Sequence, residues 1–236
     1  MNIQKLSIVI PTYNEAKTIE EIIRRSADET RKLGLQEEII VVDDGSTDGT
    51  EALVKGINGI NLHYIRQIVN KGKGAALKRG FRDVTGEVVI IQDADLEYNP
   101  ADYKKLLEPL QEDKADVVYG SRFRGEIQRV HLFWHRFGNV IVTFLSNMFT
   151  DLNLTDMETG YKAFRREVVE QIRDRLRSKR FGIEPEITAR IAHGKWRIYE
   201  VPVNYYGRTY AEGKKIGWWD GMKAVGVIIW FRFFDT

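Results

Sequence analysis

Short β-branched runs alternate with amphipathic stretches along the first half of the chain. Residues 6–11 (LSIVIP) and 38–43 (EIIVVD) read as buried strands, and between them 15–33 places Ile19, Ile22 and Ile23 at helical spacing. Strand, helix and strand in that order make a βαβ unit. The alternation continues with a strand at 61–67, a helix at 74–84, a strand at 87–93, a helix from Pro100 to about Gln111 and a strand at 116–119. It predicts an α/β fold, a mostly parallel, doubly wound sheet. Past Gly120 the pattern shifts to Arg-rich and aromatic-rich helices with a short strand around 197–203. Residues 1–236 are therefore expected to form one domain whose halves, 1–120 and 121–236, meet at a soft boundary.

Composition narrows the class. With 236 residues, 43% hydrophobic and 30% charged, the chain can bury a real core. Its 36 basic and 34 acidic residues nearly cancel, which gives no case for a nucleic-acid partner. The absence of cysteine excludes disulfides, a thiolate nucleophile and cysteine-based metal centres, and fits cytosolic exposure. The N-terminal apolar run is a first strand and not a signal peptide. The longest apolar stretch, 224–234 (AVGVIIWFRFF), is about half the roughly 20 residues of a membrane-spanning helix, and Arg232 interrupts it.

The polar motifs cluster where a doubly wound sheet binds ligands, beyond the carboxyl ends of its strands. The first strand ends in PTYNE, the second in DDGSTDGT and the strand at 87–93 in DADLE. In an extended segment residues two apart point to one side, so Asp93 and Asp95 converge if the strand persists, and a cation between them relieves their repulsion. The plainer reading is a polar turn before a helix opened by Pro100. Asp43 and Asp44 are placed to accept from a nucleobase N–H and a ribose hydroxyl, while Asp48 suits a helix cap. NKGKGAALKRG (70–80) sets glycines where backbone can approach a ligand, with Lys71 and Lys73 beside them. It is no dinucleotide fingerprint, because Leu77 stands at the third small position, and that disfavours a nicotinamide dehydrogenase.

PTYNE, DDGSTDGT, NKGKGAAL, DADLE and GSR, in that order over about the first 125 residues, resemble the inverting family 2 glycosyltransferases of GT-A fold, which is Rossmann-like. Among them the dolichyl-phosphate mannose and glucose synthases and bacterial polyprenyl-phosphate sugar transferases match best, and ETGYKAFRREV, FGIEPEI and RTYAEGKKI extend the likeness over nearly the whole chain. The resemblance implies a GDP- or UDP-linked sugar donor framed by Pro11, Tyr13, Glu15, Asp43, Asp44 and Lys73. It implies a Mg²⁺ or Mn²⁺ ion on the donor diphosphate, held by Asp93 and Asp95. Glu97 stands where mannose synthases tend to carry glutamine; it adds a third ligating carboxylate and bears on sugar and base specificity.

A lipid-phosphate acceptor needs cations across from the donor, and Arg122, Arg136, Arg208 and Lys214 supply them. Such a phosphate is already ionised, so single displacement with inversion needs no strong base, and Asp95, Arg122 and Arg208 carry the charge stabilisation. A sugar-hydroxyl acceptor needs a carboxylate base, for which Asp156 or Glu158 in TDMETGYK is the candidate; Asp156 is equally read as a loop anchor. His131 and His135 are four apart but lack the glutamate of a zinc motif. The stretch 217–234, with its tryptophans, phenylalanines, Lys223 and Arg232, reads equally as an interfacial helix or as a core or oligomer contact. The expected setting is the cytoplasmic face of a membrane, with peripheral attachment. Two alternatives stand: a transferase acting on a glycan hydroxyl, and a non-catalytic nucleotide-sugar sensor or scaffold.

Overall fold

The computed structural model describes residues 1–124, 133–207 and 218–233, the side chains of the last segment from 224 to 231. Seven strands form one sheet: β1 (Lys5–Thr12), β2 (Gln36–Asp43), β3 (Leu62–Arg66), β4 (Val88–Ile91), β5 (Val117–Ser121), β6 (Lys162–Arg165) and β7 (Ile198–Pro202), in the order β3-β2-β1-β4-β6-β5-β7. All neighbours run parallel except β6, which is antiparallel to both β4 and β5. Strands from both sides of residue 120 thus share one sheet.

Alternation along each strand feeds two cores. Ile8, Ile39 and Ile90 face α1 (Ile19–Lys32) and α4 (Tyr103–Gln111), while Val9, Ile40 and Ile91 face α3 (Lys73–Gly80) and α7 (Ile183–His193). In α1 the residues Ile19, Ile22, Ile23, Ser26, Ala27 and Thr30 are buried, a helical stripe, with Glu20 and Glu21 in its first turn and Arg31 and Lys32 in its last, matching the helix dipole. The helix starts at Ile19 and not at residue 15, because the preceding turn, with Asn14 at φ 53°, is bonded into the loop after β2. Short elements the periodicity does not announce are α2 (Thr50–Lys55) and α6 (Arg166–Ile172). The long α5 (Phe133–Thr150) and α8 (Trp218–Phe233) pack on α7 and on each other, with Ala224, Ile228 and Phe231 of α8 buried and Ile229 and Trp230 exposed. Among the described residues no helix is long and apolar enough to cross a membrane.

Candidate functional site

Strand order reverses at β1, with β2 on one side and β4 on the other, which is where an open α/β sheet leaves a crevice at its carboxyl edge. Thr12 is level with Asp43, and Gln92 continues the β4 ladder by donating to the Val9 carbonyl at 3.0 Å. The motifs PTYNE, DDGS and DAD are therefore neighbours.

The first two are bonded together. Asn14 N donates to Ser46 Oγ (2.9 Å), Thr47 N to Asn14 Oδ1 (2.8 Å), Glu15 N to Thr50 Oγ1 (3.2 Å) and Ala16 N to Asp48 Oδ2 (3.1 Å). Asp48 also accepts from Thr50 N, the first residue of α2, at 3.0 Å, but the cap position itself is Gly49, so Asp48 holds the helix start from one residue before it and is not its N-cap. Pro11 is buried and Tyr13 is exposed at the rim. Asp43, fully buried, accepts from Ser46 N and the Tyr64 hydroxyl, and burial together with this carboxylate pushes the Tyr64 pKa up. Asp44 accepts from Lys71 N (2.8 Å) and Gly72 N (2.6 Å), so it shapes the NKGKG loop. Each carboxylate oxygen retains capacity for a second bond.

The glycines of that loop correct an expectation. Gly72 lies at φ +97°, and a Cβ there would stand 2.5 Å from the Lys179 carbonyl oxygen; one on Gly74 would overlap the Ser178 carbonyl. Their bare faces meet the chain's own 178–180 segment, not a ligand, and the Ala75 amide donates to Lys179 O at 3.1 Å.

Asp93 lies two residues past the end of β4 at Ile91, and Asp95 sits in a turn completed by Leu96 at φ 62°. The same-side alignment of extended residues therefore does not apply. Instead Asp93 Oδ1 meets Lys73 Nζ at 2.7 Å, Lys73 meets Glu184 Oε1 at 3.1 Å, and Glu184 Oε2 meets the fully buried Lys162 Nζ at 2.6 Å. Burial opposes charge on Lys73, yet Asp93 and Glu184 outweigh it and raise its pKa; Glu184, also desolvated, is held low by Lys162 and Lys73. Gly160 backs the aspartate, since a Cβ there would overlap Asp93 Oδ2. Glu97 accepts from the Tyr205 hydroxyl (2.6 Å), its amide donates to Asp95 Oδ1 (3.2 Å), and Tyr98 packs between Tyr161 and Tyr205 at centroid distances of 4.9 and 5.1 Å. Among the described residues no cluster of three or more His, Asp or Glu is preformed for a metal.

Across from these, Arg122 and Asp156 form a bidentate pair, Nε to Oδ2 and Nη2 to Oδ1 both at 2.7 Å, and the Arg122 amide adds a third bond at 3.0 Å. Asp156 is fully buried; burial works against its charge, and Arg122 more than compensates, holding its pKa low. A carboxylate so engaged anchors an arginine and is poorly placed to take a proton. Glu158 differs: one of its oxygens is buried without a hydrogen-bond partner, and burial followed by repulsion from Glu184 pushes its pKa to about 7. The Arg122 guanidinium lies 5.2 Å from the Tyr205 ring centroid, and exposed Arg136, on α5, lies 5.6 Å from that of Phe123. Arg208, Lys214 and His131 lie outside the described residues.

Sequence reasoning assigned no role to Lys162, Glu184, Gly160 or Tyr205. The first three stand in ETGYK and FGIEPEI, where a charged residue inside a short strand and a glutamate opening a helix were the available signals.

Carboxylates and a loop of tight glycines at the switch point of a parallel sheet define the class as an α/β protein with a nucleotide-type crevice. The chain matches the model of Glycosyl transferase family 2 over residues 7–173, and it belongs to that family, the nucleotide-sugar glycosyltransferases. Its fold is similar to that of glucosyl-3-phosphoglycerate synthase from Mycobacterium tuberculosis: TM-score 0.74 at 20% identity, covering 97% of this chain and 81% of that one. The same synthase with Mn²⁺, UDP and glucosyl-3-phosphoglycerate gives TM-score 0.71 at 21% identity, covering 97% and 80%. With Mg²⁺ and UDP it gives 0.72 at 21%, covering 97% and 79%.

Proposed function

We propose that the protein transfers a hexose, with inversion, from a GDP- or UDP-linked donor to a polyprenyl phosphate at the cytoplasmic face of a membrane, attached peripherally. The observation that carries this reading is the outer face of α5. Phe133, Trp134, Phe137, Ile141, Phe144 and Met148 are all exposed, Phe133 and Trp134 at 70% and 73%, and they fall on one side of the helix. The helix has no acidic residue, and its one Arg or Lys, Arg136, sits at the end beside Phe123 and Arg122. An aromatic face with a cation at the end nearest the site suits an acyl chain and its phosphate.

The donor set fits a hard divalent cation: Asp95 and Glu97 would ligate it, and Asp93, the first aspartate of the motif and held by Lys73, belongs to the same metal-assisted donor site. Mg²⁺-type ions in diphosphate sites use one or two protein carboxylates plus phosphate oxygens, so a loop without a preformed cage suffices. Such a cation, Mg²⁺ or Mn²⁺, would neutralise charge on the leaving nucleoside diphosphate. Structures of the mycobacterial synthase contain Mn²⁺ or Mg²⁺ with UDP, which supports the same donor chemistry here. Asp43, Asp44, Tyr13 and Glu15 frame the nucleoside. Arg122 and Arg136, with Arg208 and Lys214, steer an acceptor phosphate whose oxygen attacks the anomeric carbon as the bond to the diphosphate breaks.

The test is transfer to dolichyl or undecaprenyl phosphate in anionic vesicles, compared with a Phe133→Ser, Trp134→Ser, Phe137→Ser variant. The variant should lose vesicle binding and lipid glycosylation while keeping nucleotide binding. Transfer to neither lipid with any common donor, or full activity in the variant, would overturn the assignment. Glu158 favours a second reading: a half-buried carboxyl, one oxygen of it shielded and unpaired, whose pKa is pushed up to about 7 is suited to take a proton from a sugar hydroxyl. Transfer to a soluble glycan that Glu158→Gln abolishes without weakening donor binding would establish it instead.

A further inference from the structure

The chain Asp93–Lys73–Glu184–Lys162 crosses from the loop after β4, through the first residue of α3 and the start of α7, to the first residue of β6. Its signs alternate, and Lys162 is fully buried with Glu184 nearly so. Lys162 has no other route to solvent: its ammonium also donates to the Thr159 carbonyl and lies 4.9 Å from the Tyr119 ring centroid. Replacing buried ion pairs by well-packed apolar side chains is often neutral or stabilising, so stability alone does not account for such a set. What the chain fixes is where one carboxylate points. Lys73 holds Asp93 on one side, and bare Gly160, whose amide is tied to the Tyr98 hydroxyl at 3.0 Å, leaves just enough room on the other.

We propose that Glu184 and Lys162 are positioning residues for Asp93, acting through Lys73, and that they set the affinity of the donor site from behind. The proposal rests on the reading of Asp93 as part of a metal-assisted nucleotide-sugar site. Lys73 is shared between Asp93 and Glu184. Neutralising Glu184 removes the carboxylate that Lys73 shares with Lys162, so Lys73 closes on Asp93 and withdraws it from the donor. Removing Lys162 has the opposite first effect: it lets Glu184 pull Lys73 away and frees Asp93 from its fixed orientation. Both changes act on the donor site through the Lys73–Asp93 pair.

The experiment is isothermal titration of the full chain with GDP and UDP in the presence of Mn²⁺, alongside thermal unfolding. Glu184→Gln and Lys162→Met should each weaken binding of the preferred nucleotide by about tenfold. In an Asp93→Asn background neither should weaken it further, since their route to the ligand is already cut. Gly160→Ala, which approaches Asp93 from the opposite side, should reproduce the loss and serves as the independent variant should a charge change prevent folding. Lowered melting temperature with unchanged nucleotide affinity, or additive losses in the Asp93→Asn background, would reduce the chain to a structural role and overturn the proposal. If the wild type binds neither nucleotide with Mn²⁺, or Asp93→Asn binds as well as wild type, the donor reading itself falls and takes this one with it.

Discussion

Changing Asp156 to Asn distinguishes an anchor from a base. The wild-type carboxylate accepts the Nε and Nη2 of Arg122 at 2.7 Å each and the Arg122 amide at 3.0 Å, with Asn139 Nδ2 at 3.3 Å, and it is fully buried. The amide keeps the shape but loses the charge and one acceptor, leaving a guanidinium that is only 15% exposed without its counter-ion. Breaking a buried pair from one side costs about 3–5 kcal/mol. At roughly 2–4 °C per kcal/mol for a chain of this size, the melting temperature should fall by about 10 °C. Adding Arg122→Met to the variant should restore part of the loss, because the uncompensated charge goes with it. Calorimetric unfolding at pH 7 reads both effects. The pH dependence follows from the depressed folded pKa of Asp156: its contribution is complete above the ordinary carboxylate range and is lost as pH falls below it. A variant melting within about 2 °C of wild type but lacking turnover would refute the anchor role and return Asp156 to the position of a base.

Glu158 carries the opposite linkage. With its folded pKa raised to about 7, the folded state binds a proton that the unfolded chain has already released, so this residue's contribution is lost as pH rises through 7. Glu158→Gln should therefore gain stability over wild type at pH 8 and much less at pH 5; parallel melting curves for the two proteins across that range would sink the assignment. Gly74→Ala drives a methyl group into the Ser178 carbonyl and should cost about 1–3 kcal/mol, measured by urea denaturation, with 178–180 displaced; a neutral result would mean that segment yields freely. Tyr205→Phe removes the hydroxyl bonded to Glu97 and should cost about 1–2 kcal/mol while changing the Mn²⁺ concentration needed for nucleotide binding severalfold. An unchanged Mn²⁺ requirement would take Glu97 off the metal.

The centre of the parallel half was legible because β1, β2 and β4 are buried on both faces and read as apolar runs, and because the intervening helix repeats its isoleucines at helical spacing. The acidic edge was legible for a related reason: polar motifs that follow parallel strands must gather at one end of them. β6 was not. Its four residues, KAFR, are too few to show a period and begin with a lysine, and only tertiary pairing with Glu184 makes that lysine a core residue. The glycines of NKGKG were read correctly as a close approach but toward the wrong partner, because local sequence records that a Cβ is missing and not what occupies its place. Likewise the alignment of Asp93 with Asp95 requires extended backbone through Asp95, four residues beyond the Ile91 end of the strand that forms.

The antiparallel strand explains how donor and acceptor sides are joined. Because β6 lies between β4 and β5, the turn that feeds it, residues 156–161, must run along the carboxyl edge of both. At its start Asp156 takes hold of Arg122, just beyond β5; at Gly160 it presses against Asp93, just beyond β4. Thr159, between them, donates to the Gly120 carbonyl at 2.6 Å and shares a hydrogen bond with the Tyr98 hydroxyl at 3.3 Å. A parallel strand in the same slot would bring its opposite end to this edge and leave the two arginine- and aspartate-bearing loops without a common support. Six residues of one turn therefore set the spacing between the carboxylate assigned to the donor and the arginine assigned to the acceptor, and changes in that turn should alter both binding steps together.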